Sequence, residues 1–272
     1  RRQWRQAWGR HSSWALRLAM LGAAAFGGAL CAISAPLPRV VRQARGGASA
    51  AAPSMKIYYG DMAFWRAECV RLCLYMGDVP FEDIRDQKRV DLKAAGKLTF
   101  GAVPVLEVEG KILSQTQAMA SYVGRLTGMV PTDPWLAAKV DEAINGCTDV
   151  TTTIGSTFRL PDDEKVPARE ALVKPGGRLH MHLSGLEALL EQNGCCGHIA
   201  GKSITVADLA VWRLIGWLSS GVLDGIPKEF VRSTFPELAK LCEAVEAHPK
   251  VQEWTAMTYP KAGYASKVYA KP

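Results

Sequence analysis

The sequence predicts an α+β protein, with a unit built on a mixed sheet followed by a unit made only of helices. Three observations carry that expectation. Between residues 56 and 126 the pattern runs strand, helix, strand, helix, hairpin, helix. From Trp135 to Trp254 the periodic stretches have helical spacing. Ahead of both, residues 1–54 contain eight arginines and no Asp or Glu, a composition unlike the rest.

The 272 residues suffice for one large domain or two small ones with a substantial core. The formal charge of +7 is a property of the leader. Without residues 1–54 the chain has 25 basic against 26 acidic residues, a net of −1, so the pI gives no argument for nucleic acid as a partner. Of the seven cysteines, Cys31 lies in the leader, and no Cys-x-x-Cys occurs. Cys195-Cys196 are adjacent and Cys69/Cys73 are four apart, spacings that fit neither a disulfide framework nor a zinc site. Most of these thiols read as buried small hydrophobes in a reducing compartment, and no metal is expected.

The leader has two parts. Arg1, Arg2, Arg5 and Arg10 precede an uncharged Ala/Gly-rich run from Leu18 to Ala35, which resembles a secretory signal. Residues 36–54 are rich in Arg, Ser and Ala without acids and resemble a transit peptide. The succession resembles the bipartite leaders of proteins imported into complex plastids. A membrane anchor or secretory signal is the alternative, since eighteen uncharged residues reach the spanning minimum, and a mitochondrial address is a third. The expectation is that residues 1–54 stand outside the fold, with membrane contact only through an uncleaved leader, and that Met55 opens the folded body.

Residues 56–59, Lys-Ile-Tyr-Tyr, read as the first strand. A turn at Gly60-Asp61 follows, then a helix from Arg66 to Met76 with apolar positions 69, 70, 73, 74 and 76. Gly77 stops it, residues 81–84 form a second strand, and residues 86–95 hold a weakly patterned helix. Residues 101–113 give two strands joined at Glu109-Gly110, a hairpin signal. Ser114-Gln115-Thr116 opens a helix running to Leu126. The first two strands need a helical crossover and are parallel, whereas the hairpin is antiparallel.

Pro104 at the start of a central strand cannot donate to the ladder, which points to a special, cis, Val103–Pro104 bond that turns the Val103 backbone outward. Beside it, the helix N-terminus at Gln115-Thr116 offers unpaired N–H groups and a positive dipole end. Together they suit an extended, peptide-like ligand bearing carboxylates.

In the second unit Pro131-Thr132-Asp133-Pro134 is a linker with turn chemistry. One helix spans residues 135–158, and another, amphipathic, lies between Gly177 and Gly194. His180 and His182 are two apart and face differently, so they are not a metal pair. Thr205 as N-cap with Asp208 three residues on is a capping box, with Ile204 and Leu209 placed as its apolar staple. Residues 261–272 show no clear pattern and read as a tail.

Residues 55–256 resemble a cytosolic-type glutathione S-transferase, of the sigma-like, tyrosine-dependent group. The matching stretches are Lys56-Ile57-Tyr58-Tyr59, Arg66-Ala67-Glu68, the proline strand from Phe100 to Val108, and Leu113-Ser114-Gln115-Thr116. The resemblance implies a thioredoxin-like domain over residues 55–130, an all-helical domain over 133–260, and a homodimer. It implies glutathione as co-substrate and a small hydrophobic electrophile as partner. Tyr59 would donate its hydroxyl to the glutathione sulfur, with Arg66 as electrostatic partner, because the thiolate is the nucleophile and both groups favour it. Tyr58 points to the opposite face of the strand. Gln115 and Thr116 would hold the γ-glutamyl end, Val103 and Pro104 the cysteinyl backbone, and Lys97 or Lys93 the glycine carboxylate. Asp149 would reach the partner subunit's glutathione. A glutathione-dependent isomerase and a non-catalytic ligand carrier or assembly subunit remain alternatives.

One departure stands out. The family spaces its tyrosine and the helix-opening glutamate one residue closer, with a small residue where Phe64-Trp65 stand. The extra bulk is expected to reshape the electrophile pocket or displace Arg66. Neither Cys-x-x-Cys nor a serine occurs between Asp61 and Arg66, so the chemistry of thioredoxins and of serine-dependent transferases has no candidate there, and Cys69 reads as core.

Overall fold

The computed structural model describes the backbone of residues 39–41 and residues 53–258. Five strands form one sheet: β1 (Arg39–Val41), β2 (Met55–Tyr58), β3 (Phe81–Ile84), β4 (Val105–Val108) and β5 (Lys111–Ser114), in the order β1-β3-β2-β4-β5. β2 and β3 are parallel, with α1 (Trp65–Met76) as their crossover, and the other pairs are antiparallel. The β4–β5 turn takes left-handed backbone at both Glu109 (φ 49°) and Gly110 (φ 79°). That is the primed geometry whose twist matches the flanking strands. α2 (Arg89–Ala94) and α3 (Thr116–Leu126) complete this part.

Several boundaries differ from expectation. β2 ends at Tyr58, so Tyr59 is the first residue beyond the strand, although its N–H still donates to the Ile84 carbonyl at 3.1 Å. α1 begins at Trp65, one residue early. Arg39–Val41, inside the span read as leader, pairs antiparallel along β3 with Arg39 opposite Asp83. Residues 1–38 and 42–52 of the leader and the tail at residues 261–272 lie outside the described residues.

The helical part contains α4 (Pro134–Thr157), α5 (Asp162–Val173), α6 (Arg178–Gln192), α7 (Val206–Leu218), α8 (Phe230–Thr234), α9 (Pro236–Glu246) and α10 (Pro249–Thr258). Asp133 caps α4 by accepting from the Leu136 N–H at 2.8 Å, with Pro134 in the first turn. α7 is buried at every residue and is surrounded by α1, α3, α4 and α9, as a helix apolar on all sides must be. α5 was not anticipated: Pro167 interrupts its pattern, and Arg169 is its one buried residue. In α6 the buried stripe is Leu179, Leu183, Leu186, Leu189 and Leu190, whereas Met181 faces solvent. No helix among the described residues is long and apolar enough to cross a membrane.

The capping box of α7 is formed. Thr205 accepts from the Asp208 N–H at 3.4 Å, and Asp208 accepts from the Thr205 N–H at 2.6 Å and from its hydroxyl at 2.8 Å. Asp208 also accepts from the Ile199 N–H at 2.7 Å, fixing the loop ahead of the helix. An Asp208→Ala chain orphans two buried N–H groups, and a stability loss of about 2 kcal/mol is expected in denaturant titrations; an unaltered midpoint would contradict this role.

Candidate glutathione site

The sheet register assembles the site. Tyr58 lies opposite Val105, and Val105 opposite Ser114. The residues that continue these strands at the same end are Tyr59, Pro104 and Gln115, so the three motifs finish in one row. Adjacent strands lie about 4.8 Å apart, so the row from β2 to β5 spans about 10 Å, the length of an extended tripeptide.

At one end of the row is the start of α3. Gln115 is its N-cap, with a left-handed φ of 73° and an exposed side chain, an unusual conformation for a non-glycine residue. Thr116 is buried in the first turn. Ser114 Oγ, Thr116 Oγ1 and Gln117 Oε1 are buried and have no hydrogen-bond partner among the described residues. Three orphaned polar atoms on four consecutive residues, beside a helix N-terminus, form a cradle for a polar, anionic group. Gln117 also donates to Asp141 of α4 at 2.6 Å, which fixes this corner against the helical part. In the middle of the row the Val103–Pro104 bond is cis, with Val103 half-buried and Pro104 buried.

At the other end is Tyr59, half-buried against the main core. Arg66 in the first turn of α1 counts Tyr59 and Cys147 as electrostatic neighbours; burial lowers its affinity for a proton, and both neighbours raise it. Its guanidinium lies 5.3 Å from the centre of the Trp65 ring. Trp65 is fully buried and donates to Thr151 of α4 at 2.8 Å, while Phe64 packs edge-on against Trp217 of α7 with ring centroids 5.1 Å apart. Trp65 thus anchors the start of α1 to α4. Of the pair, only Phe64 keeps part of its surface open.

Tyr58 is on the other face. Val105 and Glu107 share that face, and the Tyr58 hydroxyl donates to Glu107 at 2.9 Å while Lys97 donates to both, at 2.7 Å each. The bond to Glu107 pushes Lys97 up, the bond to Lys97 holds Glu107 below the usual carboxylate range, and burial pushes Tyr58 up. Lys97 therefore has two of its three N–H donors engaged within the fold. Lys93 and Asp149 are exposed, on α2 and α4 respectively. Cys69 is fully buried, and burial raises its thiol well above the ordinary range, so it is a core residue. Among the described residues no three His, Cys, Asp or Glu side chains cluster as metal ligands.

Sequence reasoning missed the support beneath the turn. Arg71 is fully buried, bonds Asp83 at 2.9 Å and Glu68 at 3.4 Å, and donates to the carbonyls of Gly60 at 3.3 Å and Met62 at 3.2 Å. Its signal was available: an acid and a base three apart inside an otherwise apolar helix.

A thioredoxin-like sheet, a cis-proline strand and an anion cradle, backed by a helical domain, define a glutathione-dependent enzyme of the cytosolic transferase type. Residues 148–258 match the model of the glutathione S-transferase C-terminal domain. The chain is 32% identical to glutathione S-transferase 1 of Ascaris suum over 220 residues, covering 78% of this chain and 100% of that protein. Its fold is similar to the crystal structure of the glutathione S-transferase from Ascaris lumbricoides (TM-score 0.61, 32% identity, 76% and 98% of the two chains). It is also similar to prostaglandin synthase D of Nilaparvata lugens (TM-score 0.63, 25% identity, 74% and 96%). The chain belongs to the glutathione S-transferase family and is an enzyme of that kind.

Proposed function

We propose that this transferase is tyrosine-dependent and sigma-like, activating glutathione through Tyr59 and conjugating it to small hydrophobic electrophiles. The observation that carries this reading is the single row of Tyr59, Pro104 and Gln115, with the orphaned hydroxyl of Thr116 at its end. Tyr59 donates its O–H to the sulfur, and Arg66 adds positive charge beside it; both favour the thiolate over the thiol. Thr116 and Gln115, with the α3 N-terminus, hold the γ-glutamyl end. The Val103 backbone pairs with the cysteinyl part as an added strand. Lys97 offers its remaining donor to the glycine carboxylate. In a homodimer Asp149 faces the partner's site, and the leader directs the chain to a plastid.

Thr116→Val keeps the shape of the site and removes the orphaned hydroxyl. The KM for glutathione is expected to rise about tenfold with kcat little changed, as loss of one hydrogen bond to a charged group implies; an unchanged KM would remove Thr116 from the site. A glutathione-dependent isomerase is the second reading, favoured by the likeness to prostaglandin synthase D. Assaying aryl-halide conjugation beside endoperoxide isomerisation separates the two. Retention on immobilised glutathione with neither turnover would favour a carrier.

A further inference from the structure

The catalytic turn is tied at one position that the tyrosine reading leaves unused. Residues 60–64 carry the chain from Tyr59 to α1, and the Met62 N–H folds back onto the Gly60 carbonyl at 2.9 Å. Arg71 holds those same two residues from beneath through their carbonyls, and its guanidinium lies 5.8 Å from the centre of the Tyr59 ring. The residue between them, Asp61, is held from the side: Arg85 donates to it at 2.7 Å. Both arginines share one buried carboxylate, since Asp83 Oδ1 accepts from Arg71 at 2.9 Å and Asp83 Oδ2 from Arg85 at 2.6 Å.

The ladder continues inward. Arg71 meets Glu68, and Glu68 accepts from the Trp254 indole N–H of α10 at 2.5 Å, with Arg213 of α7 at 3.8 Å. Glu68, Arg71, Asp83 and Arg213 are buried, whereas the Asp61 side chain is 72% exposed. The ladder thus runs from the packed helices to one solvent-facing rung, on the turn that directly follows Tyr59. Charges arranged so have little effect on stability at the exposed end, yet they fix the path of the turn backbone there.

We propose that Asp61 and Arg85 are positioning residues: their ion pair holds the long turn so that Tyr59 presents its hydroxyl to the glutathione sulfur. The proposal rests on the assignment of Tyr59 as thiol activator. It differs from a merely structural role because cutting the outermost rung leaves the buried rungs in place.

The test is the full chain carrying Asp61→Asn, Asp61→Glu or Arg85→Gln, beside Tyr59→Phe. Three quantities are read for each: thermal midpoint, the pH profile of kcat/KM with an aryl halide, and the thiolate absorbance of bound glutathione against pH. Asp61→Asn is expected to keep the thermal midpoint while raising the bound-thiol titration by about half a pH unit or more, which lowers turnover at pH 6.5 roughly three- to tenfold. Activity should converge with wild type above pH 9, Asp61→Glu should restore the profile, and Arg85→Gln should reproduce the thiol titration of the Asn variant with a lower thermal midpoint, because Arg85 also bonds the buried Asp83. Wild-type thiol titration in both Asp61→Asn and Arg85→Gln overturns the proposal, as does a loss of turnover equal at every pH. If those variants are silent while Tyr59→Phe loses thiol activation, only the positioning role fails. If Tyr59→Phe is itself silent, the assignment beneath it fails.

Discussion

Replacing Tyr59 with phenylalanine is expected to lower kcat/KM for aryl-halide conjugation about 100-fold at pH 6.5, the scale seen when one preorganised donor to a developing anion is removed. The substitution deletes one oxygen from a half-buried ring that packs against the core, so the thermal midpoint should barely move. The loss should shrink at higher pH. A free thiol titrates near about 8.5, so above that value the nucleophile ionises without help from the protein. A loss that is the same at every pH would mean that Tyr59 orients glutathione and does not activate it. The matching change at Tyr58 should affect stability through Glu107 and Lys97 and leave the thiol alone, because its hydroxyl is committed on the opposite face.

The second large effect belongs to Glu68. This carboxylate is fully buried and joins α1 to α7 and α10 through Arg71, Arg213 and Trp254. Glu68→Ala takes an anion out of a buried cluster that keeps its cations, and breaking such an arrangement costs about 3–5 kcal/mol. For a chain of this size the thermal midpoint should fall by roughly 10 °C. Glu68→Gln keeps an acceptor for the Trp254 indole and should lose less. Equal stability of the Ala variant and wild type, in a calorimetric scan, would show that the cluster contributes nothing to the fold.

Much of the site was legible because its signals are local. Glu109-Gly110 between two apolar runs specifies a primed hairpin turn, Pro104 specifies an unusual bond at a strand entrance, and Thr205 with Asp208 specifies a helix start. Each depends on residues within four positions of one another, and all three are present in the structure. The hairpin also implies the β4–β5 register that brings Pro104 beside Gln115, whereas the β2–β4 register that adds Tyr59 to the row is long-range.

What escaped notice is long-range. Asp61 and Arg85 are 24 residues apart, and they meet only because β2 and β3 pair in parallel with Ile57 opposite Asp83. The bonds of Lys97 to Tyr58 and Glu107 have no sequence signal, because both partners lie on strands that it does not neighbour in the chain. At Phe64-Trp65, hydrophobicity alone cannot say whether an aromatic lines a pocket or enters a core. Trp65 enters the core because its indole finds Thr151 across the boundary with the helices. Helix α5 has almost no buried face, so it lacks the periodic stripe by which a helix is recognised.

The most direct test of the central claim is the ionisation of glutathione bound to the wild-type chain, to Tyr58→Phe and to Tyr59→Phe, followed by thiolate absorbance as pH is raised. The account expects the bound thiol to titrate below its free value in the wild type and in Tyr58→Phe, and to return close to that value in Tyr59→Phe. A thiol that stays shifted in Tyr59→Phe but reverts in Tyr58→Phe would place the activating hydroxyl on the other face of the sheet and contradict the account.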